Sequence, residues 1–196
     1  MNKILFVVLF SLAGFNGYAQ NTKSDSLLTV LRSELAREDF YDQVKEKRID
    51  ELRSQLLHTD STNFDAQFSL YSKIFEEYHS HKFDSAFVYV KRMVDISEKF
   101  QEKDHLIQSE IMLGSTLLNS GFYKEAFDIT EKIDASGLSK SLKTDYLILR
   151  ARLNAGIADY DNDAYFAQRY QQQSADDFKK AEIVTPSNDF GKTINI

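Results

Sequence analysis

The side chains that metal binding would require are few in this sequence and poorly spaced for that task. His79 and His81 flank one serine, as two ligands of a metal ion could. On a helix, however, residues i and i+2 point to different sides, and no cysteine or carboxylate cluster completes a ligand set. The sequence therefore predicts no metal site, and we interpret the two histidines as surface residues at a turn.

Two pairs of adjacent carboxylates, at residues 76–77 and 176–177, are the candidates for acid–base catalysis. Such catalysis needs two carboxyl groups that face each other across a cleft, whereas neighbours on a helix diverge. We therefore predict that both pairs lie on solvated helix faces. The sequence also lacks a glycine-rich phosphate loop and a Gly-x-Ser-x-Gly motif. We expect no catalytic residues, no cofactor and no enzymatic activity.

The elements that would position any site are predicted to be helices throughout. One proline and seven glycines leave long uninterrupted stretches, and period-two alternation is weak. The predicted organisation is a helical cap at residues 20–62, stacked antiparallel helical hairpins at 63–185 and a frayed tail at 186–196. Helices are predicted at residues 106–119, 122–133, 139–159 and 161–183. Aromatic residues in steps of 4, 3, 4 and 3 mark one face of an earlier helix: Phe64, Phe68, Tyr71, Phe75 and Tyr78.

The predicted cap contains a highly charged helical stretch at residues 40–57. One interpretation is a coiled coil or a partner-binding helix, and the other is the solvated face of an end-capping helix. The apolar heptad pattern lasts only about two turns of helix, which is too short for a coiled coil. We therefore favour the solvated face.

The first nineteen residues have the pattern of a secretory signal peptide. Lys3 gives a positive start, residues 4–13 are apolar apart from Ser11, and Gly17 and Ala19 are the small residues that signal peptidase reads. We expect cleavage after Ala19 and a periplasmic mature protein. A retained N-terminal anchor is the alternative.

Composition excludes several other classes of protein. The chain has no cysteine, which rules out disulfides, thiolate metal sites and a lipidated cysteine. Its formal net charge is −6 and no basic block interrupts the mixed charges, so we expect no nucleic-acid binding. No second stretch of about twenty apolar residues follows the signal peptide, so we expect no membrane span after cleavage.

A helix–turn–helix motif recurs at an offset of 40 residues, measured from Ala86 to Ala126. Its clearest copy resembles the tetratricopeptide repeat (TPR), through Leu113, Gly114, Gly121, Tyr123 and Ala126. Phe83 and Ala86 form a partial earlier copy, and a third hairpin around Ala151 and Ala164 is degenerate. An unrelated helical bundle is the alternative.

The repeat residues have roles that follow from their size. Gly114 and Ala126 are small, which lets the two helices of a hairpin approach closely. Gly121 relieves the turn between those helices. Tyr123 is expected to be an aromatic wedge against the next helix, and Phe83 takes that position in the earlier copy.

The resemblance implies a partner-binding surface on the concave side, which the first helix of each TPR hairpin lines. A mixed aromatic and amide lining suits a peptide or a helix of a partner protein. The alternative is that N-terminal helices cover this surface and that its aromatic residues are core. The implied groove residues are Tyr71, Tyr78, His79, Gln108, Ser115 and Asn119.

A broader resemblance covers nearly all of the chain. Residues 45–52 and 83–89 are similar to the N-terminal part of a family of larger bacterial envelope proteins. In that family a signal peptide and a TPR region precede one membrane helix, a coiled coil and a cytoplasmic DNA-binding-type region. The family is regarded as signal-transducing, with mostly unknown ligands. Because the chain reaches Ile196 without a membrane helix, we expect truncation of a longer protein.

Three functions remain open at this point. The first is a protein–protein or peptide interaction module in the bacterial envelope, the sensory or scaffolding part of a signalling protein. The second is a helical envelope enzyme that acts on glycans, and clustered carboxylates with perturbed pKa values in a deep pocket would favour it. The third is an inactive remnant of a longer membrane-anchored regulator. The oligomeric state and the identity of the partner are not predicted.

Overall fold

The computed structural model describes residues 21–161 and 163–185, and the predicted signal peptide and the predicted tail lie outside these ranges. Within them the secondary structure is helical without a strand, which confirms the all-α prediction. The helices are α1 (Asn21–Leu35), α2 (Glu38–His58), α3 (Phe64–Tyr78), α4 (Phe83–Phe100), α5 (Lys103–Asn119), α6 (Tyr123–Thr130), α7 (Lys140–Asp161) and α8 (Ala167–Val184).

The chain divides into two compact units, Met1–Arg48 and Ile49–Ile196. The division falls inside α2 and not at the predicted boundary after residue 62. The reason is Ile49, which is fully buried in the hydrophobic core of the second unit. The last three turns of α2 therefore pack with the core of the second unit, and the predicted cap at residues 20–62 stays a prediction.

Besides the end of α2, the second unit contains three helical hairpins, α3–α4, α5–α6 and α7–α8, that stack in chain order. The α7–α8 contact is the most extensive, and α4 joins the first hairpin to α5. The helix α7 packs against both α5 and α6. This arrangement confirms the predicted stack of hairpins, in which each hairpin contacts mainly its neighbours.

Local signals in the sequence set the helix ends. The side chain of Asn63 accepts a hydrogen bond from the backbone N–H of Ala66 and caps the start of α3. Gly121 has a φ of 80° in the turn between α5 and α6, a conformation that glycine adopts without strain. The helix α6 ends at Thr130, before the predicted residue 133, and a turn follows in which Asp134 accepts from the N–H of Ser136.

The small residues of the motif lie where helices meet. Gly114, however, lies closest to a helix of the next hairpin, whereas we expected its close contact with the partner helix of its own hairpin. A Cβ atom on Gly114 would lie 2.8 Å from Leu149 Cδ2 in α7 and 3.5 Å from Thr130 Oγ1 in α6. The glycine therefore admits the first helix of the following hairpin more than its own partner helix. Ala86 and Ala126 are both fully buried in the core.

Tyr123 at the start of α6 packs against α7. Its Cε1 atom would lie 2.7 Å from a Cβ on Gly156, and its ring lies 5.9 Å from that of Tyr160. Phe83, in the equivalent position of the earlier hairpin, instead stacks on Phe122 at a ring-centroid distance of 5.3 Å.

The carboxylate pair at residues 176–177 does not form a solvated face, contrary to our interpretation. Asp177 is buried, with only 1% of its surface exposed. Its Oδ2 lies 3.2 Å from Arg150 Nη2 on α7, and its Oδ1 accepts from Lys180 Nζ at 3.2 Å. A buried carboxylate with two cationic partners acts as a link within the last hairpin, because its charge is compensated there.

Candidate partner-binding groove

A cavity of about 190 Å³ lies among the first helices of the three hairpins, α3, α5 and α7. We call it the groove. Its lining residues repeat at intervals of three and four along each helix, so one face of each helix contributes. They are Ser72, Phe75, Glu76 and His79 of α3, Gln108, Ile111, Met112, Ser115, Thr116 and Asn119 of α5, and Leu142, Asp145, Ile148, Leu149 and Arg152 of α7.

Four of the six predicted groove residues line this cavity: His79, Gln108, Ser115 and Asn119. Tyr78 does not, because its side chain is 1% exposed and belongs to the core. Its hydroxyl accepts a hydrogen bond from Arg53 Nη2 of α2 at 3.0 Å. Tyr71 is half-buried against the same core, with the guanidinium of Arg92 5.9 Å from the centre of its ring. The predicted aromatic lining is therefore wrong for Tyr78, and Tyr71 lies outside the groove.

Polar contacts fix two of the lining residues. Asn119 Oδ1 accepts a hydrogen bond from Arg152 Nη2 at 2.7 Å, which joins the end of α5 to α7. The ring of His79 stacks on Phe75 at 5.5 Å, and its Nδ1 lies 3.0 Å from the Glu76 carbonyl oxygen and 3.5 Å from Glu76 Oε2. The positions of Asn119 and His79 are thus set before any partner arrives.

The groove also contains residues that the sequence analysis missed. Asp145 of α7 faces it, and burial raises the pKa of the Asp145 carboxyl. Glu76 of α3, which we expected on a solvated face, is more exposed but lies on the groove wall. The third hairpin lacks clear repeat residues, so no motif positions pointed to α7. The spacing of Leu142, Asp145 and Leu149 was the available signal.

The sequence comparison identifies the family. The SusR N-terminal TPR domain matches residues 35–196. The chain belongs to this family. No curated protein and no solved structure matches it. The TPR resemblance and the similarity to larger signalling regulators are thereby confirmed. TPR domains are in general non-catalytic modules, and the family match supports a protein-interaction or scaffolding module for this chain.

Two further properties bear on what the TPR domain could bind. Among the described residues, no group of three or more His, Cys, Asp or Glu side chains is placed to hold a metal ion. The helices in residues 21–161 and 163–185 include none with the length and apolar character to cross a membrane.

Proposed function

We propose that this TPR domain binds a segment of a protein partner in the groove, as the sensory or scaffolding part of a bacterial envelope signalling protein. One observation carries the proposal. The first helices of three successive hairpins line a single cavity, and the TPR resemblance implies that these helices form the partner-binding surface. The envelope location is supported by the signal-peptide pattern of residues 1–19, and the protein would be periplasmic.

The character of the groove suits a peptide segment. Apolar side chains such as Ile111 and Leu149 are buried at its base, and Gln108, Ser115 and Asn119 provide hydrogen-bonding groups. Apolar contacts with a few placed polar groups are what a folded module uses to bind and orient a chain segment. The cavity is smaller than the roughly 300–1,000 Å³ of small-molecule pockets, so it suits a few side chains of a longer segment.

A sensory role follows from the position of the groove between hairpins. A segment that contacts α3, α5 and α7 together would favour those positions of the hairpins in which it can contact all three helices. Binding then shifts the equilibrium between hairpin positions, to an extent set by the difference in the affinity of the segment for them. Such a shift in hairpin stacking is a signal that a connected domain could read.

One observation favours a second candidate, a helical enzyme acting on glycans. Asp145 and Glu76 lie in the same cavity, and burial raises the pKa of the Asp145 carboxyl, as a general acid requires. We expect binding without turnover. Incubation of the protein with a panel of envelope glycans should release no new reducing ends, and release that Asp145→Asn abolishes would favour the enzyme.

Blocking the groove tests the principal proposal. Ser115 lies half-buried in the middle of the α5 wall, so Ser115→Trp should fill the cavity. Ala175→Trp is the matched control, because Ala175 is exposed on α8 away from the groove. In a pull-down from periplasmic extract, the Ser115 variant should lose partners that the parent and the control retain, with unchanged helical circular dichroism. Retention of the same partners at the same strength by all three proteins would refute the groove assignment.

The envelope location has its own test. Cell fractionation of the native host followed by N-terminal sequencing should recover the protein in the periplasm, beginning at Gln20. A cytoplasmic protein that still carries Lys3 and the apolar stretch would refute the location without affecting the groove.

A further inference from the structure

We infer that the segment bound in the groove inserts a lysine or arginine side chain, whose charge is received by Asp145 and Glu76. This inference rests on the proposed function, because it specifies the chemistry of the partner at the same site. It commits to a basic peptide segment with apolar neighbours.

The two carboxylates lie on opposite outer helices of the groove, Glu76 on α3 and Asp145 on α7. Within the described part of the chain, no cation and no hydrogen-bond donor lies within bonding distance of the Asp145 carboxylate. Glu76 has only His79 beside it, at 3.5 Å from Nδ1. Both carboxylates can therefore accept hydrogen bonds from an incoming ammonium or guanidinium group.

The other charged group of the lining does not cancel this preference. Arg152 is the cation on the α7 wall, and its Nη2 donates to Asn119 at 2.7 Å. One arginine that is held in this way leaves two carboxylates against one fixed positive charge. An acidic side chain would meet two like charges in the groove, which disfavours it.

The apolar part of the groove fits the stem of a basic side chain. Lysine and arginine bury their methylene groups along apolar surface and keep the charged end on polar groups. Ile111 and Ile148 are buried beneath the groove, and Met112 beside them is half-buried. A cavity of about 190 Å³ has room for such a stem with one apolar neighbour.

Asp145 also occupies a position that costs the free protein stability. Burial disfavours its charged form, and no partner in the described residues offsets that cost. Asparagine or leucine at this position would avoid the penalty. A destabilising polar group that faces a cavity is typical of a binding site, where a ligand supplies the missing contact.

Peptide selection tests the inference with a defined probe. A phage-displayed library of random dodecapeptides is selected on the full-length chain, and the enriched peptides are synthesised with a fluorescent label. Their affinities are measured by fluorescence polarisation against the parent, Asp145→Asn, Glu76→Gln and Ser115→Trp. Asp176→Asn is the control for the same charge change on an exposed part of α8. Circular dichroism and melting temperature verify that each variant is folded.

We expect the selected peptides to be enriched in lysine and arginine and to lose binding to the Ser115 variant. Asp145→Asn should weaken them about tenfold or more, as loss of a charge-assisted hydrogen bond does. Glu76→Gln should weaken them less, because Glu76 is more exposed and water screens its charge. Asp176→Asn should leave the affinity unchanged.

Two contrary results are distinguishable. Peptides that bind the parent but not the Ser115 variant, without basic residues and without sensitivity to Asp145, would overturn this inference and leave the proposed function standing. A selection that yields no peptide sensitive to Ser115→Trp would overturn the proposed function, and the inference with it.

Discussion

The carboxyl group of Asp145 has different pKa values in the folded and the unfolded chain, so it makes stability depend on pH. Burial raises its pKa in the folded protein above the ordinary value of 3.8. The folded state therefore holds its proton more tightly than the unfolded state does. Stability from this group is fully present below the unfolded pKa and is lost as the pH rises through the folded pKa.

Asp145→Asn should therefore raise the melting temperature at pH 7, because the substitution removes a buried charge. The gain should shrink as the pH falls through the folded pKa toward the unfolded value of 3.8, and it should vanish well below 3.8, where the aspartate is protonated in both states. Thermal denaturation at a series of pH values measures this, with Asp176→Asn as the control. An equal gain at pH 7 and pH 4 would show that the charge of Asp145 is not the cause.

Arg53 makes three hydrogen bonds, and two of them join the end of α2 to the first hairpin. Its Nη2 donates to the Tyr78 hydroxyl at 3.0 Å, its Nε to the Tyr89 hydroxyl at 3.2 Å, and its Nη1 to Asp50 at 3.0 Å. The hydrogen bonds to Tyr89 and Asp50 raise the pKa of the guanidinium. Reaching two tyrosine hydroxyls at once requires the planar, forked guanidinium group of arginine. The ammonium group of lysine lacks this fork.

Arg53→Lys should lower the free energy of unfolding by roughly 1–2 kcal/mol, since about two net hydrogen bonds are lost. Arg169→Lys, at an exposed position of α8, should stay within about 0.5 kcal/mol. Urea denaturation followed by circular dichroism compares the two variants. If they are equally stable, the Arg53 contacts add nothing to the fold.

At the scale of elements, the contact of α6 with α7 depends on a glycine. The ring of Tyr123 occupies the space that a Cβ on Gly156 would need, at 2.7 Å from Cε1. Alanine within a helix is favoured over glycine by about 1 kcal/mol. Here the clash with a rigid ring opposes that preference, so a double-mutant cycle can separate the two effects.

Gly156→Ala should destabilise the parent, whereas in a Tyr123→Leu background the same change should be neutral or stabilising. The flexible leucine leaves room for the new methyl group, and the helix preference of alanine then dominates. Free energies of unfolding for the four proteins give the coupling. A change of equal size and sign in both backgrounds would refute the contact.

The elements were predictable where periodicity and turn chemistry agreed, and the groove only where the repeat motif was clear. Gly114 and Ala126 fixed the register of α5 and α6, and the offset of 40 residues carried it back to α3. The helix α7 has no such motif, so Asp145 and Arg152 were missed.

Tyr78 was misplaced because aromatic spacing identifies a helix face without telling whether that face packs in the core or binds a partner. Its burial depends on packing in the folded hairpin, with Arg53 from α2 at its hydroxyl, which spacing within α3 does not report.

At the scale of the whole molecule, a stack of hairpins gains stability from neighbouring contacts, and each hairpin can open with its own free energy. The last hairpin depends on Asp177, which is buried between Arg150 of α7 and Lys180 of α8. Lys180 is on the same helix as Asp177, so it is the contact with Arg150 that exists only while the two helices are together.

Asp177→Asn should speed amide hydrogen exchange throughout α7 and α8 while α3 and α4 keep their protection. Breaking a buried ion pair typically costs about 3–5 kcal/mol, and part of that loss should appear as local opening. Exchange measured by mass spectrometry locates the effect, with Asp176→Asn as the neighbouring control. A uniform increase across all hairpins would mean that the array unfolds as one cooperative unit.

The two sides of the groove are built differently. Leu149 of α7 packs on Gly114 of α5, and Arg152 is hydrogen-bonded to Asn119, so these two walls are joined directly. The α3 wall reaches α5 mainly through α4. A bound chain would therefore be selected by shape on the α5–α7 side and accommodated by movement on the α3 side. Partners that share one anchoring residue but differ in the size of its neighbours could then use the same site. The module would be specific for the anchoring residue and tolerant of the residues around it.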